Sequence, residues 1–331
     1  MIISRTPVRV SFFGGGTDYR EYYERNGGAV LGTTINKYVY VSLNRLSKFF
    51  DYKIRVGYSK AELVNSVDEI VHPSVRECLR YKNVDGNLDI HIFADLPART
   101  GLGSSSAFTV GFLNALYALE GRIVSKEQLA KDCLKLEQEI LCENVGSQDQ
   151  IHAAYGGLNV IEFSRGRFRV QPLVISEANR HALENAMMVF FTGQTRYANE
   201  IVKEQVDRTK SRDNDAYLKE MHAMVGAAVQ IIANQSDQDM LQAFGRLMHD
   251  SWCLKKSLSP HVTNSLIDDA YERAVSAGAY GGKISGAGGG GFLTLIVDPS
   301  RQDEVRAALK DLLEVNFRFE DEGTSIIYLK S

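Results

Sequence analysis

Pro97-Ala98-Arg99-Thr100-Gly101-Leu102-Gly103-Ser104-Ser105-Ser106-Ala107 separates two segments of different period. Before it, Leu88 to Phe93 alternates apolar and polar side chains, as a strand buried on one face does. After it, Ala107 to Leu119 is almost wholly apolar, as a buried helix is. The chain therefore turns from strand into helix here. Glycine permits the turn and a close backbone approach, the first turn of a helix leaves N–H groups unpaired, and three hydroxyls gather at that end. The run suits an anion. A glycine turn with one serine cap accounts for Gly103 and a single hydroxyl, and three consecutive serines exceed that need.

Across 331 residues, 44% hydrophobic and 24% charged side chains describe a globular chain, with two domains expected, 1–185 and 186–331. The net charge of −3, with Lys and Arg dispersed, offers no basic face for nucleic acid and points to small-molecule ligands. No apolar run approaches the roughly 18 residues of a membrane helix, and Met1 to Arg5 lacks the core of a signal peptide. A cytoplasmic protein without membrane contact is expected, with a homodimer left open. Cys78, Cys133, Cys142 and Cys253 are far apart and form no CxxC pair, so neither a disulfide framework nor a zinc site is indicated. His249 and Cys253, spaced i, i+4, read as a packed pair in the absence of a third ligand.

Pro7 to Phe13 alternates like a strand and runs into Gly14-Gly15-Gly16-Thr17-Asp18-Tyr19. Bare glycines let a ligand lie against backbone, Asp18 can accept hydrogen bonds from hydroxyls, and Arg9 offers a fixed positive charge on the strand. A tight loop with Asp18 as a turn residue is the plainer reading. Tyr38 to Leu43 and Tyr52 to Val56 continue the strand signal, with antiparallel pairing expected. Ser125 to Gln128 is a capping box opening a helix to about Cys142. At 100° per residue, Glu137 falls inside its apolar face of Leu129, Cys133, Leu136, Ile140 and Leu141, whereas Glu139 points away. A carboxylate there is costly unless paired with a cation or metal, and a buried salt bridge serves as well as a functional site. Asp149, in Gly146-Ser147-Gln148-Asp149-Gln150, sits at a helix start, as a cap or as a carboxylate aimed at a substrate hydroxyl. Arg196 follows a strand at Met187 to Phe191 and suits a phosphate or an ion pair equally.

Gly281-Gly282-Lys283-Ile284-Ser285-Gly286-Ala287-Gly288-Gly289-Gly290-Gly291 contains GxGxxG, yet it leads into a strand, Phe292 to Val297. A dinucleotide fingerprint opens a helix, so NAD binding loses its basis and the glycines point to close packing against a ligand or another loop. A last strand at Thr324 to Leu329 is expected to complete the second domain.

The three glycine-rich stretches, Arg9 to Tyr19, Pro97 to Ala107 and Lys283 to Phe292, resemble in order the motifs of the GHMP small-molecule kinases, over nearly the whole chain. The resemblance implies an α+β, two-domain GHMP-kinase fold: an N-terminal ribosomal-protein-S5-like α/β domain that binds ATP and a C-terminal ferredoxin-like α+β domain. It implies that Pro97 and Gly101, Leu102, Gly103, Ser104, Ser105 and Ser106 wrap the ATP phosphates, and that Ser105 and Glu137 hold Mg2+. It further implies that Asp149 and Arg9 act at the reacting hydroxyl, and that Gly15, Gly16, Thr17, Asp18, Arg196 and Gly288 meet the acceptor. Galactokinases carry GEHTDY where this chain has Gly14 to Tyr19, so their sugar-reading Glu and His are absent. The Phe12-to-Tyr19, Glu143-to-Gln150 and Phe191-to-Arg196 segments look most like the family's heptose 7-phosphate kinases. The expected activity is ATP-dependent phosphorylation of the anomeric 1-hydroxyl of D-glycero-D-manno-heptose 7-phosphate. Another sugar 1-kinase (fucokinase-like, galactokinase-like or hexose kinase) and a catalytically silent ATP- and sugar-binding sensor are the alternatives.

Overall fold

A computed structural model describes residues 1–98, 100–193, 198–235 and 237–330, so Arg196 lies outside the described residues. The strands are β1 (Ile2–Phe13), β2 (Gly28–Arg45), β3 (Ile54–Gly57), β4 (Ala61–Val64), β5 (Leu88–Ala94), β6 (Asn159–Ser164), β7 (Arg167–Pro172), β8 (Met187–Phe191), β9 (Ala279–Ile284), β10 (Phe292–Val297), β11 (Leu313–Glu314), β12 (Phe319–Glu320) and β13 (Ser325–Leu329). The helices are α1 (Arg20–Asn26), α2 (Pro73–Tyr81), α3 (Ser104–Leu119), α4 (Lys126–Lys135), α5 (Gln148–Tyr155), α6 (Glu177–Ala186), α7 (Ala198–Lys210), α8 (Asp215–Asn234), α9 (Asp237–Leu258), α10 (Ser265–Ser276) and α11 (Gln302–Ala308).

The strands form two sheets. The first is built on β2, whose β-branched and aromatic residues suit a long strand: Val39, Val41 and Leu43 face the core while Tyr38 and Tyr40 alternate outward. β1 pairs with β2 antiparallel along most of its length, and β5 and β6 share β2's other edge. The long apolar helix α3 packs on β1 and β2, with Ala107, Val110, Phe112, Leu113 and Leu116 fully buried. β3 departs from the antiparallel expectation: it lies parallel to β5 and antiparallel to β4.

The second sheet has the order β11-β8-β10-β9, all antiparallel. Renumbered within the unit this is 4-1-3-2, the order of a ferredoxin-like fold. Trp252 of α9 and Ile267 and Tyr271 of α10 cover it, packing in one core with Leu293 and Leu295 of β10. Phe244 of α9 reaches across to the end of β1, meeting Phe12 and Phe13 edge-on at centroid distances of 5.4 and 5.1 Å. One expectation is corrected. β13 does not complete the second sheet; it crosses back and pairs antiparallel with β1, and β12 pairs with β2. Strand period fixes which face is apolar and is silent about the partner, so local sequence could not assign this strand.

Candidate active site

Arg9 projects from β1 and ties two elements together. Its Nε and Nη2 both contact Asp149 Oδ1, at 2.8 and 2.6 Å, and its Nη1 donates to the Gly101 carbonyl at 2.7 Å. Its backbone N–H donates to the Leu102 carbonyl at 3.0 Å. Asp149 of α5 is thereby held beside the glycine turn that opens α3. Gly101 and Gly103 take left-handed φ values of 83° and 76°, and a methyl group on Gly103 would stand 3.1 Å from Asp149 Oδ2. Both Arg9 contacts fall on Oδ1, so Oδ2 turns toward the turn. No side chain caps α3 at Gly103, which leaves the first-turn N–H groups at Ser104 to Ser106 aimed outward. Leu102 contributes only backbone, because its side chain is in the core. Pro97 stabilises the approach, its carbonyl accepting from Thr100 Oγ1 at 2.9 Å.

Glu137 is buried, as its place on the apolar face predicts. The helix departs from the expected geometry around it: α4 ends at Lys135 and a π-helical turn covers Leu136–Ile140, with Leu141 N–H donating to the Leu136 carbonyl at 2.8 Å. Such turns recur at functional sites, and this one rotates Ile140 outward to 39% exposure. Glu137 Oε2 accepts from Ser106 Oγ at 2.9 Å and Gln150 Nε2 at 2.5 Å, while Oε1 is buried without a partner. Burial pushes its carboxyl up to about 7, against the opposing hydrogen bond from Gln150. The hydroxyl bonded to Glu137 is that of Ser106, while Ser105, expected to share Mg2+ with Glu137, is exposed one position earlier on the helix.

Those donors suit Mg2+. A carboxylate oxygen and serine hydroxyls are hard ligands, and a cation at Oε1 would offset the cost of burying that oxygen. Among the described residues no cluster of three or more His, Cys, Asp or Glu could hold a metal by itself.

The first glycine turn is organised from inside. Thr17 is fully buried, its hydroxyl donating to the Gly14 and Ala29 carbonyls at 2.8 Å each and accepting from Ala29 N–H at 3.1 Å. Its expected contact with substrate is therefore corrected to a brace. Asp18 is likewise buried, accepting from Gly16 N–H at 2.9 Å and from Gln148 N–H and Nε2 at 3.3 and 3.0 Å. Burial, with Asp149 nearby, raises its carboxyl. In this structure Asp18 orders the turn rather than facing a ligand, because three N–H donors surround its oxygens. Gly16 backs onto Leu218, whereas a side chain on Gly15 would meet nothing nearer than Gln148 Nε2 at 3.7 Å.

The third glycine stretch packs against the second. A methyl group on Gly286 would stand 2.5 Å from the Gly101 Cα, and one on Gly291 would stand 2.3 Å from the Thr100 carbonyl oxygen. Gly288, expected at the acceptor, instead lies against Val262, where an added methyl would be 2.5 Å from the carbonyl oxygen. Lys255 and Lys283 are two buried amines of this region that sequence reasoning missed. Lys255 falls on the same helical face as Phe244, Met248 and Trp252, so the criterion that singles out Glu137 also singles out Lys255. His249 and Cys253 remain a packed pair, with Nε2 and Sγ 3.6 Å apart and Nδ1 on the Tyr271 hydroxyl at 2.7 Å.

The model for the GHMP kinases N terminal domain matches residues 68–157, and that for the GHMP kinases C terminal domain matches 238–315. The chain is 31% identical over 319 residues to the D-glycero-alpha-D-manno-heptose 7-phosphate kinase of Campylobacter jejuni, covering 93% of each protein. The chain belongs to the GHMP kinases. A crystal structure of a D-glycero-D-manno-heptose 1-phosphate kinase from Bacteroides thetaiotaomicron superposes with a TM-score of 0.73 at 25% identity, over 100% of both chains. A bifunctional fucokinase/GDP-fucose pyrophosphorylase of Arabidopsis thaliana is 30% identical over 237 residues, 70% of this chain and 22% of that protein. The two-domain kinase fold implied by the glycine motifs is thus present in this GHMP kinase, an ATP-dependent enzyme. No helix among the described residues is long and apolar enough to cross a membrane.

Proposed function

We propose that this kinase transfers the terminal phosphoryl group of ATP to the anomeric 1-hydroxyl of a sugar phosphate, with D-glycero-D-manno-heptose 7-phosphate as its acceptor. The observation that carries the reading is the joint held by Arg9: Asp149 Oδ2 faces Gly103 at the uncapped start of α3, so a carboxylate and a phosphate cradle share one cleft. The 1-hydroxyl oxygen attacks the γ-phosphorus, the bond to the β-bridging oxygen breaks, and ADP leaves. Asp149 orients the hydroxyl and accepts its proton, and Arg9 fixes the carboxylate. N–H groups at Ser104 to Ser106 hold phosphate oxygens. Glu137 and the serine hydroxyls beside it would hold Mg2+, which neutralises charge on the phosphates. Arg196 is the proposed contact for the acceptor's distal phosphate.

Heptose kinases among the relatives support the acceptor; the fucokinase relative favours a second reading, phosphorylation of a free hexose. A coupled ADP-release assay with heptose 7-phosphate, L-fucose, D-galactose and D-mannose separates them. Heptose 7-phosphate is expected to give the highest kcat/KM; a free hexose that exceeds it removes the acceptor assignment, and ATP binding without ADP release on any sugar leaves a silent sensor.

A further inference from the structure

Lys255 lies in the last turn of α9 and Lys283 in β9, and both side chains are buried. Their partners are backbone carbonyls. Lys255 Nζ donates to the Ile284 carbonyl at 3.0 Å and to the Gly286 carbonyl, and Lys283 Nζ donates to the Phe12 carbonyl at 2.8 Å. Among the described residues, neither amine forms an ion pair with a carboxylate.

These contacts place Lys255 directly beneath Gly286, the residue packed on Gly101, and Lys283 at the root of the first glycine turn. Arg9 lies close enough to repel both amines, and Asp18 close enough to attract both. The cluster then contains three cations, Arg9, Lys255 and Lys283, against two carboxylates. Asp149 is taken by Arg9, and Asp18 by the amides of Gly16 and Gln148. With both lysines protonated one positive charge would be left over in a buried place, which is costly without an anion. Burial and Arg9 lower the Lys255 ammonium to about 7, and Lys283 is held well below the usual lysine range for the same reasons together with repulsion from Lys255. A lysine with two of its three donors on carbonyls keeps one for a ligand.

We propose that Lys255, backed by Lys283 and Arg9, is a phosphate ligand of the cleft, taking an oxygen of the ATP terminal phosphate or of a phosphate carried by the acceptor. The inference rests on the kinase reading of this site. It accounts for the gathering of three basic groups at the seam between the two sheets, where an arriving phosphate dianion stabilises their charged forms.

Full-length Lys255→Met is titrated by calorimetry with ADP, AMP-PNP and the sugar phosphate, and by kinetics with phosphorylated and free sugars. A contact to the terminal phosphate predicts that AMP-PNP binding weakens about tenfold while ADP binding holds within about twofold. A contact to the acceptor phosphate predicts the same loss in KM for the phosphorylated sugar and none for the free one. Equal loss for every ligand, or no loss for any, overturns the proposal. Should Lys255→Met fail to fold, 13Cε-lysine NMR of the wild type reads the same contact, with Lys255→Arg giving the assignment. The Lys255 signal is expected to move toward its charged position with AMP-PNP or sugar phosphate and to stay put with ADP or free sugar; a signal unmoved by all of them contradicts it. Wild-type ADP release tests the kinase reading separately, so either can fail while the other stands.

Discussion

Glu137 is a carboxylate that the fold keeps at the edge of protonation. With Oε1 buried and unpartnered, the charged form is disfavoured until a cation arrives, and the carboxyl is raised from 4.5 to about 7. The sign follows directly. A folded-state value above the unfolded one gives stability that is fully present below about 4.5 and is lost as pH rises through about 7. That loss amounts to something on the order of 3 kcal/mol. Wild-type protein without ligands should therefore lose more stability between pH 4.5 and 7 than Glu137→Gln does, as read by urea titration at each pH. Parallel curves for the two proteins would remove the uncompensated charge from the account. At this scale the sequence was informative where chemistry and period disagree: Glu137 stands out as an acid on an apolar face, and the same criterion fits Lys255, which sequence reasoning missed. Ser106 was not legible, because three identical hydroxyls differ only in their rotation about α3, which the π turn carrying Glu137 and the packing of α3 on β1 together decide.

The start of α3 and the loop between β9 and β10 act as a pair. Gly101 has a left-handed φ of 83°, and an added methyl would meet the Ser285 carbonyl oxygen at 2.4 Å, so neither backbone can give way without moving its own element. Gly101→Ala should cost about 1–3 kcal/mol through strain and contact. By displacing the cradle from Asp149 it should also lower turnover by roughly 100-fold. Thermal melts and ADP release check the two effects, and an alanine enzyme with wild-type melting and turnover would contradict the close fit. Glycine content announced that these loops approach something closely; which loop meets which is a tertiary fact. Thr17 shows the converse limit. Its residue type suits a substrate contact, yet its hydroxyl is consumed by the Gly14 and Ala29 carbonyls, a use visible only once β2 is in place.

Across the whole molecule, the proposed centre draws on both sheets. β1 supplies Arg9, α3 and α5 supply the cradle and Asp149, and the ferredoxin-like half supplies Gly286 and Lys255. The order strand, glycine turn, apolar helix was readable from the change of period, and the ferredoxin-like half came only with the resemblance carried by the three glycine-rich stretches. The return of β12 and β13 to the first sheet was not, because pairing over more than 280 residues leaves no local trace. That return fastens the chain's end to the strand that carries Arg9 and so helps hold the two halves around one centre. The central claim is that the centre transfers a phosphoryl group with Asp149 at the acceptor hydroxyl. Measuring kcat for Asp149→Asn beside its calorimetric affinity for ADP tests it most directly. The account predicts a fall of about 10²–10⁴-fold in kcat with ADP affinity within about twofold of wild type; wild-type turnover in the asparagine variant would contradict it.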